Sequence, residues 1–98
     1  MNLNRNTRLS ESELDQTTLQ GATVFGPDDS RIGHVSKVLG AGSTTEVVID
    51  VGGFLGLGAH SVLVSARDLE FVRDDSNSIM AVTSWTKEDL RGMPEFKG

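Results

Sequence analysis

The sequence predicts an all-β fold: a small barrel of about six short strands with one short C-terminal helix. Three observations predict it. Apolar residues come in short runs rich in Val and Ile, as in Thr45–Val51, where Val47, Ile49 and Val51 alternate with Glu46, Val48 and Asp50. Turn-forming clusters such as Gly26-Pro27-Asp28-Asp29-Ser30 and Asp74-Asp75-Ser76-Asn77-Ser78 separate the runs. The 98 residues fit one domain with a single compact core. At this length, a twisted barrel is an economical way to limit exposed strand edges.

Residues 1–18 are polar, with Leu3, Leu9 and Leu14 too widely spaced to form a stripe. Ser10-Glu11-Ser12-Glu13 has capping-box spacing, but no sustained apolar face follows it. The segment reads as a flexible N-terminal arm, or as an arm that packs on a partner or adds an edge strand. The domain proper is expected over 19–98. Ala22–Phe25 is a short strand that ends at the first acidic turn. Arg31–Leu39 carries Ile32, Val35, Val38 and Leu39; strict alternation fails between Ile32 and Val35, and Gly33 sits in that break as a bulge residue would. A loop over 40–44 leads into the strand Thr45–Val51, and an apolar glycine-rich loop over 52–58 leads out of it. Ser61–Ser65, Leu69–Arg73 and Ile79–Thr83 complete the strands. The spacing then predicts a helix over about residues 86–92. Thr86 is its N-cap and Asp89, three residues on, its capping-box partner; Trp85 and Leu90 have staple spacing, and Gly92 and Pro94 stop it.

Composition bounds the function. Without Cys there is no disulfide, no thiol nucleophile and no Cys zinc site, which suits a reducing compartment. The N-terminus lacks an apolar signal-peptide core, and no run approaches the roughly 18 apolar residues of a membrane helix, so a cytoplasmic location without membrane insertion is expected. The net charge is −5 and the nine Lys and Arg residues are scattered, which argues against nucleic-acid binding through a basic stripe.

Gly26-Pro27-Asp28-Asp29 followed by Arg31-Ile32-Gly33 resembles the first hairpin of the PRC-barrel domain family. The resemblance continues through Val47–Gly58, Ser61–Val64 and Asp68–Phe71, and more loosely over 79–94; Gly52-Gly53-Phe54-Leu55-Gly56 is its most specific part. It implies a small PRC-type β-barrel that serves as a protein-docking platform rather than running a reaction. Members often carry Val-Pro-Trp after the strand that follows the glycine loop; here that stretch reads Val64-Ser65-Ala66.

Each candidate site has a plainer reading beside it. The loop at 52–58 is not a phosphate cradle: a strand follows it rather than a helix, no Lys-Ser or Lys-Thr pair closes it, and Ser61 stands where the dinucleotide fingerprint needs Gly. Either Phe54, Leu55 and Leu57 fold back onto a barrel end, or they stay exposed as a dimer or partner contact. Trp85 is either a staple on Leu90 or an interface anchor. His34 and His60 read as surface or half-buried strand residues; His34 could face solvent beside Lys37 or Asp68, and Ser61, next to His60, points to the opposite face. Asp28-Asp29 and Asp74-Asp75 read as turn formers rather than calcium ligands. No catalytic residue, cofactor or metal is expected. The favoured function is a non-catalytic docking or scaffolding module that forms a homodimer and receives a protein partner; the alternative is a small-ligand-binding regulatory barrel, with an enzyme third.

Overall fold

The computed structural model describes residues 7–9, 14–52 and 60–97. Its strands are β1 (Thr7–Arg8), β2 (Thr23–Phe25), β3 (Arg31–Leu39), β4 (Glu46–Val51), β5 (His60–Ser65), β6 (Glu70–Arg73) and β7 (Ile79–Val82); its helices are α1 (Gln16–Leu19) and α2 (Lys87–Arg91). The strands form one sheet in the order β1-β6-β7-β2-β3-β4-β5. Neighbours are antiparallel except β2 and β7, which run parallel, with Thr23 opposite Met80 and Phe25 opposite Val82.

The sheet curls because β3 is bulged twice. Ile32 is skipped in the pairing with β2, where Gly33 meets Val24 and Arg31 meets Phe25. Ser36 is skipped in the pairing with β4, between Val35–Ile49 and Lys37–Val48. Each extra residue adds local twist and bend, and the inward face of β3 advances by three: Ile32, Val35 and Val38 are all buried. The break expected at Gly33 is therefore one of two, and Gly33 itself has a different duty. A side chain there would strike the carbonyl of Asp50, placing Cβ 3.0 Å from its carbon and 3.2 Å from the Val51 Cα. Glycine is what lets β3 and β4 approach at that point.

The core is aliphatic. Val24, Val35, Val47, Ile49, Val51, Val62 and Ala81 are fully enclosed inside the curl, with Ile32, Val64 and Phe71 beside them. Helix α1 packs on β3, and the two ends of β4 are held differently. Near its start, Thr45 is buried, and its hydroxyl reaches the carbonyls of Leu14 (3.0 Å) and Gly42 (2.8 Å). Near its end, α2 packs on β4 and β5 and sends Leu90 into the core with no exposed surface. Thr86 and Asp89 form the reciprocal capping box expected of them (3.1 and 3.0 Å). Thr86→Ala leaves the Asp89 N–H without its partner, and should cost about 1 kcal/mol in chemical denaturation.

The N-terminal segment departs from the flexible-arm reading and in part follows its alternative, an added edge strand. The boundary expected between residues 18 and 19 falls inside α1, whose N-cap Asp15 accepts from the Thr18 N–H at 2.8 Å. Leu19 is fully buried, Leu9 nearly so, and Leu14 packs against the same core. Thr7 and Arg8 add an edge strand to β6, which makes seven strands where about six were expected. Residues 1–6 and 10–13 of the expected flexible arm lie outside the described residues.

Candidate functional site

Two features stand on the outer face of the sheet. The first is polar and follows from register: His34, Asp50 and Ser61 lie side by side on β3, β4 and β5. The Ser36 bulge turns a fourth polar group toward them. Asp50 Oδ1 accepts from the hydroxyls of Ser61 (2.6 Å) and Ser36 (3.1 Å), while His34 Nε2 stands 3.8 Å from Oδ2. A hydrolytic nucleophile needs the imidazole between the hydroxyl and the carboxylate. Here the carboxylate is in the middle, and among the described residues neither serine bonds to an imidazole. The arrangement ties three strands together; it does not activate a serine. His34 is exposed, as the surface reading has it, but its neighbour is Asp50 rather than Lys37 or Asp68, because the bulge at Ser36 sets which residue of β4 it meets.

His60 is a latch. Its Nε2 lies 2.7 Å from the Met93 carbonyl, so that nitrogen carries the proton. Next to it the Phe96 N–H donates to the Ser61 carbonyl at 2.7 Å, so the segment after α2 runs along the outer edge of β5. That edge would otherwise present unpaired backbone groups.

The second feature is apolar. Phe25, Met80 and Val82, with Asp29 at the rim, line a groove of about 320 Å³ on the parallel β2–β7 pair. All three apolar residues are half-buried and belong to no part of the core cluster. The inner face of the same two strands is taken by Val24 and the small Ala81, which sit opposite each other and are fully enclosed. Met80 and Val82 of β7 are therefore turned outward, while Ile79, on the same face as Ala81, packs against the core. Sequence reasoning missed this groove, since Ile79-Met80-Ala81-Val82 is apolar on both faces and alternation does not say which face is inner.

Of the residues expected at an interface, Phe54, Leu55 and Leu57 lie outside the described residues. Trp85 is half-buried against the core, and its backbone N–H donates to the Thr83 hydroxyl at 3.1 Å. That is the staple position, directly before the cap of α2.

The acidic turns are spent on themselves. Asp28 accepts from the Ser30 hydroxyl (2.6 Å) and backbone N–H (3.2 Å), and these bonds hold its carboxyl below the usual range. Asp74 accepts from the backbone N–H of Ser78 (2.9 Å) and from both the N–H and hydroxyl of Ser76, with the same consequence, the Ser78 bond being the largest cause. Each turn also carries a residue at positive φ, Asp29 (64°) or Asn77 (69°), both of the few types that tolerate it. The two carboxylates organise hairpins, as the turn reading expects.

Among the described residues, no helix is long and apolar enough to cross a membrane. No curated protein matches the chain. The profile of the PRC-barrel domain matches residues 11–87, beginning ahead of α1 where Leu14 joins the core. With a match over that length and a single mixed sheet whose strand content suits a small barrel, the chain belongs to the PRC-barrel domain family.

Proposed function

We propose that this chain is a non-catalytic docking module and that its outer apolar groove receives a second copy of itself. The observation that carries the reading is the set of outward side chains Phe25, Met80 and Val82 on a strand pair whose inner face is already filled. Apolar surface rimmed by polar residues is the common mark of a protein contact. A second copy is favoured because the same strip occurs on every molecule, so a two-fold pairing sets apolar against apolar and needs no complementary partner. A standard interface covers roughly 800 Å² on each side. On a chain of 5956 Å² accessible surface, a patch of that size centred on the β2–β7 pair is feasible. The hydroxyls beside Asp50 and the imidazole of His60 are both committed to structural bonds, which supports a non-enzymatic reading. A cytoplasmic location belongs to the same proposal; the 23% of charged residues and net charge of −5 suit a soluble carrier of such a patch.

Light scattering across a concentration series tests it. The wild-type mass should rise from 10.5 kDa toward twice that value. Val82→Lys, which sets an ammonium in the groove, should hold the mass at the monomer value with little change in melting temperature. A wild type that stays monomeric throughout the series would remove the self-docking reading.

A further inference from the structure

Cationic side chains gather at one place on this acidic molecule. Where β3 begins, β4 ends and α2 begins, a cleft of about 370 Å³ opens, lined by Thr23, Arg31, Gly33, His34, Gly52 and Lys87 among others. Arg91 borders it: its guanidinium nitrogen comes within 2.6 Å of where a side chain on Gly52 would begin. Three of the nine Lys and Arg residues thus meet at the cleft, although the chain carries −5 overall. Among the described residues, no Asp or Glu lines it. Among the described residues, none of Arg31, Lys87 and Arg91 pairs with a carboxylate. The nearby acids lie to the sides: Asp50 stands against His34, and Asp28 and Glu88 line an adjoining depression beyond Lys87.

We propose that this cleft binds a compact phosphate-bearing anion. Like charges brought together without counter-charges repel one another, and a multiply charged anion relieves that repulsion while taking their hydrogen bonds. Arg31 offers a planar fork to two oxygens, and Lys87 a point charge from the facing element. Thr23 contributes a hydroxyl from β2, and the His34 ring a further polar edge. Gly52 carries no side chain, and the Arg91 guanidinium takes the space that one would occupy. The donors named here come from β2, β3 and α2, which is a different construction from a strand–loop–helix phosphate cradle.

The inference goes beyond the docking reading and is tested separately, by amide NMR on the full chain. Inorganic phosphate and pyrophosphate are titrated against sodium chloride of matched ionic strength. Saturable shifts are expected at Thr23, Gly33, His34, Gly52 and Lys87, with pyrophosphate binding more tightly. Arg31→Ala should weaken pyrophosphate binding about tenfold, the worth of one charge-assisted hydrogen bond. Arg31 and Lys87 are both exposed, so Arg31→Ala and Lys87→Ala should each keep the wild-type melting temperature. Shifts reproduced by sodium chloride, shifts that never saturate, or pyrophosphate binding unchanged in both variants would overturn the proposal. A monomeric wild type that still binds pyrophosphate would remove the dimer and leave this site standing.

Discussion

Replacing Gly33 with alanine should lower the unfolding free energy by roughly 3 kcal/mol, the upper end for forced overpacking. The atoms in the way are backbone: the Asp50 carbonyl and the Val51 Cα lie where the new methyl must go. A flexible side chain could swing aside, but a paired strand cannot. The methyl must therefore push β4 away from β3 at the pair Gly33–Val51, where the sheet bends. The penalty spreads, because the displaced Asp50 also holds Ser36 and Ser61. Gly21 supplies the control. It has positive φ (88°) but nothing within 4 Å of a built Cβ. Gly21→Ala should cost only about 1 kcal/mol of left-handed backbone strain. Urea denaturation of the two variants separates the effects. If Gly33→Ala unfolds at the same midpoint as Gly21→Ala, close approach is not what selects glycine at 33. Small domains have only about 5–15 kcal/mol of net stability, so the larger loss should also be visible as reduced soluble yield.

The elements that sequence reading located well are those fixed by local chemistry. Val47, Ile49 and Val51 alternate because one face of β4 meets the core, and the inside is where they lie. Thr86 and Asp89 cap α2 through bonds that span three residues, so spacing alone reveals them. Asp28 and Asp74 close their turns on the same local basis. The features that escaped depend on partners distant in sequence. Val48 alternates toward the outer face yet is 3% exposed, so alternation gave its side of the strand but not its burial. His34 meets Asp50 only because the Ser36 bulge sets the register. Met80 and Val82 face outward because Ala81, small enough to sit opposite Val24, takes the inside. The cleft at Arg31, Lys87 and Arg91 draws on residues up to 60 positions apart, so scattered charges in the sequence become neighbours only in the fold. The family resemblance supplied the barrel, and its glycine-rich segment supplied three interface candidates, Phe54, Leu55 and Leu57, that lie outside the described residues.

Leu19→Ala should destabilise the chain by about 2–5 kcal/mol, the range for emptying a closed aliphatic site. In a detached arm, the last turn before the barrel would face solvent and this change would pass almost unnoticed. Instead Leu19 has no exposed surface, and its helix packs on β3. The backbone around it is bonded inward as well: the Gly21 N–H donates to the Val35 carbonyl (2.8 Å), and the Val35 N–H to that of Ala22 (2.9 Å). The surroundings cannot readily collapse onto the lost volume, which places the cost in the upper half of that range. Thr17→Ala, on the exposed side of the same turn, should change stability by no more than about 0.5 kcal/mol. Leu90→Ala, in α2, should match Leu19→Ala, since both side chains are fully enclosed. Equal losses at 19 and 90 would mean that the chain from α1 onward folds as one cooperative unit. A near-zero loss at 19 beside a large one at 90 would mean that α1 lies outside that unit.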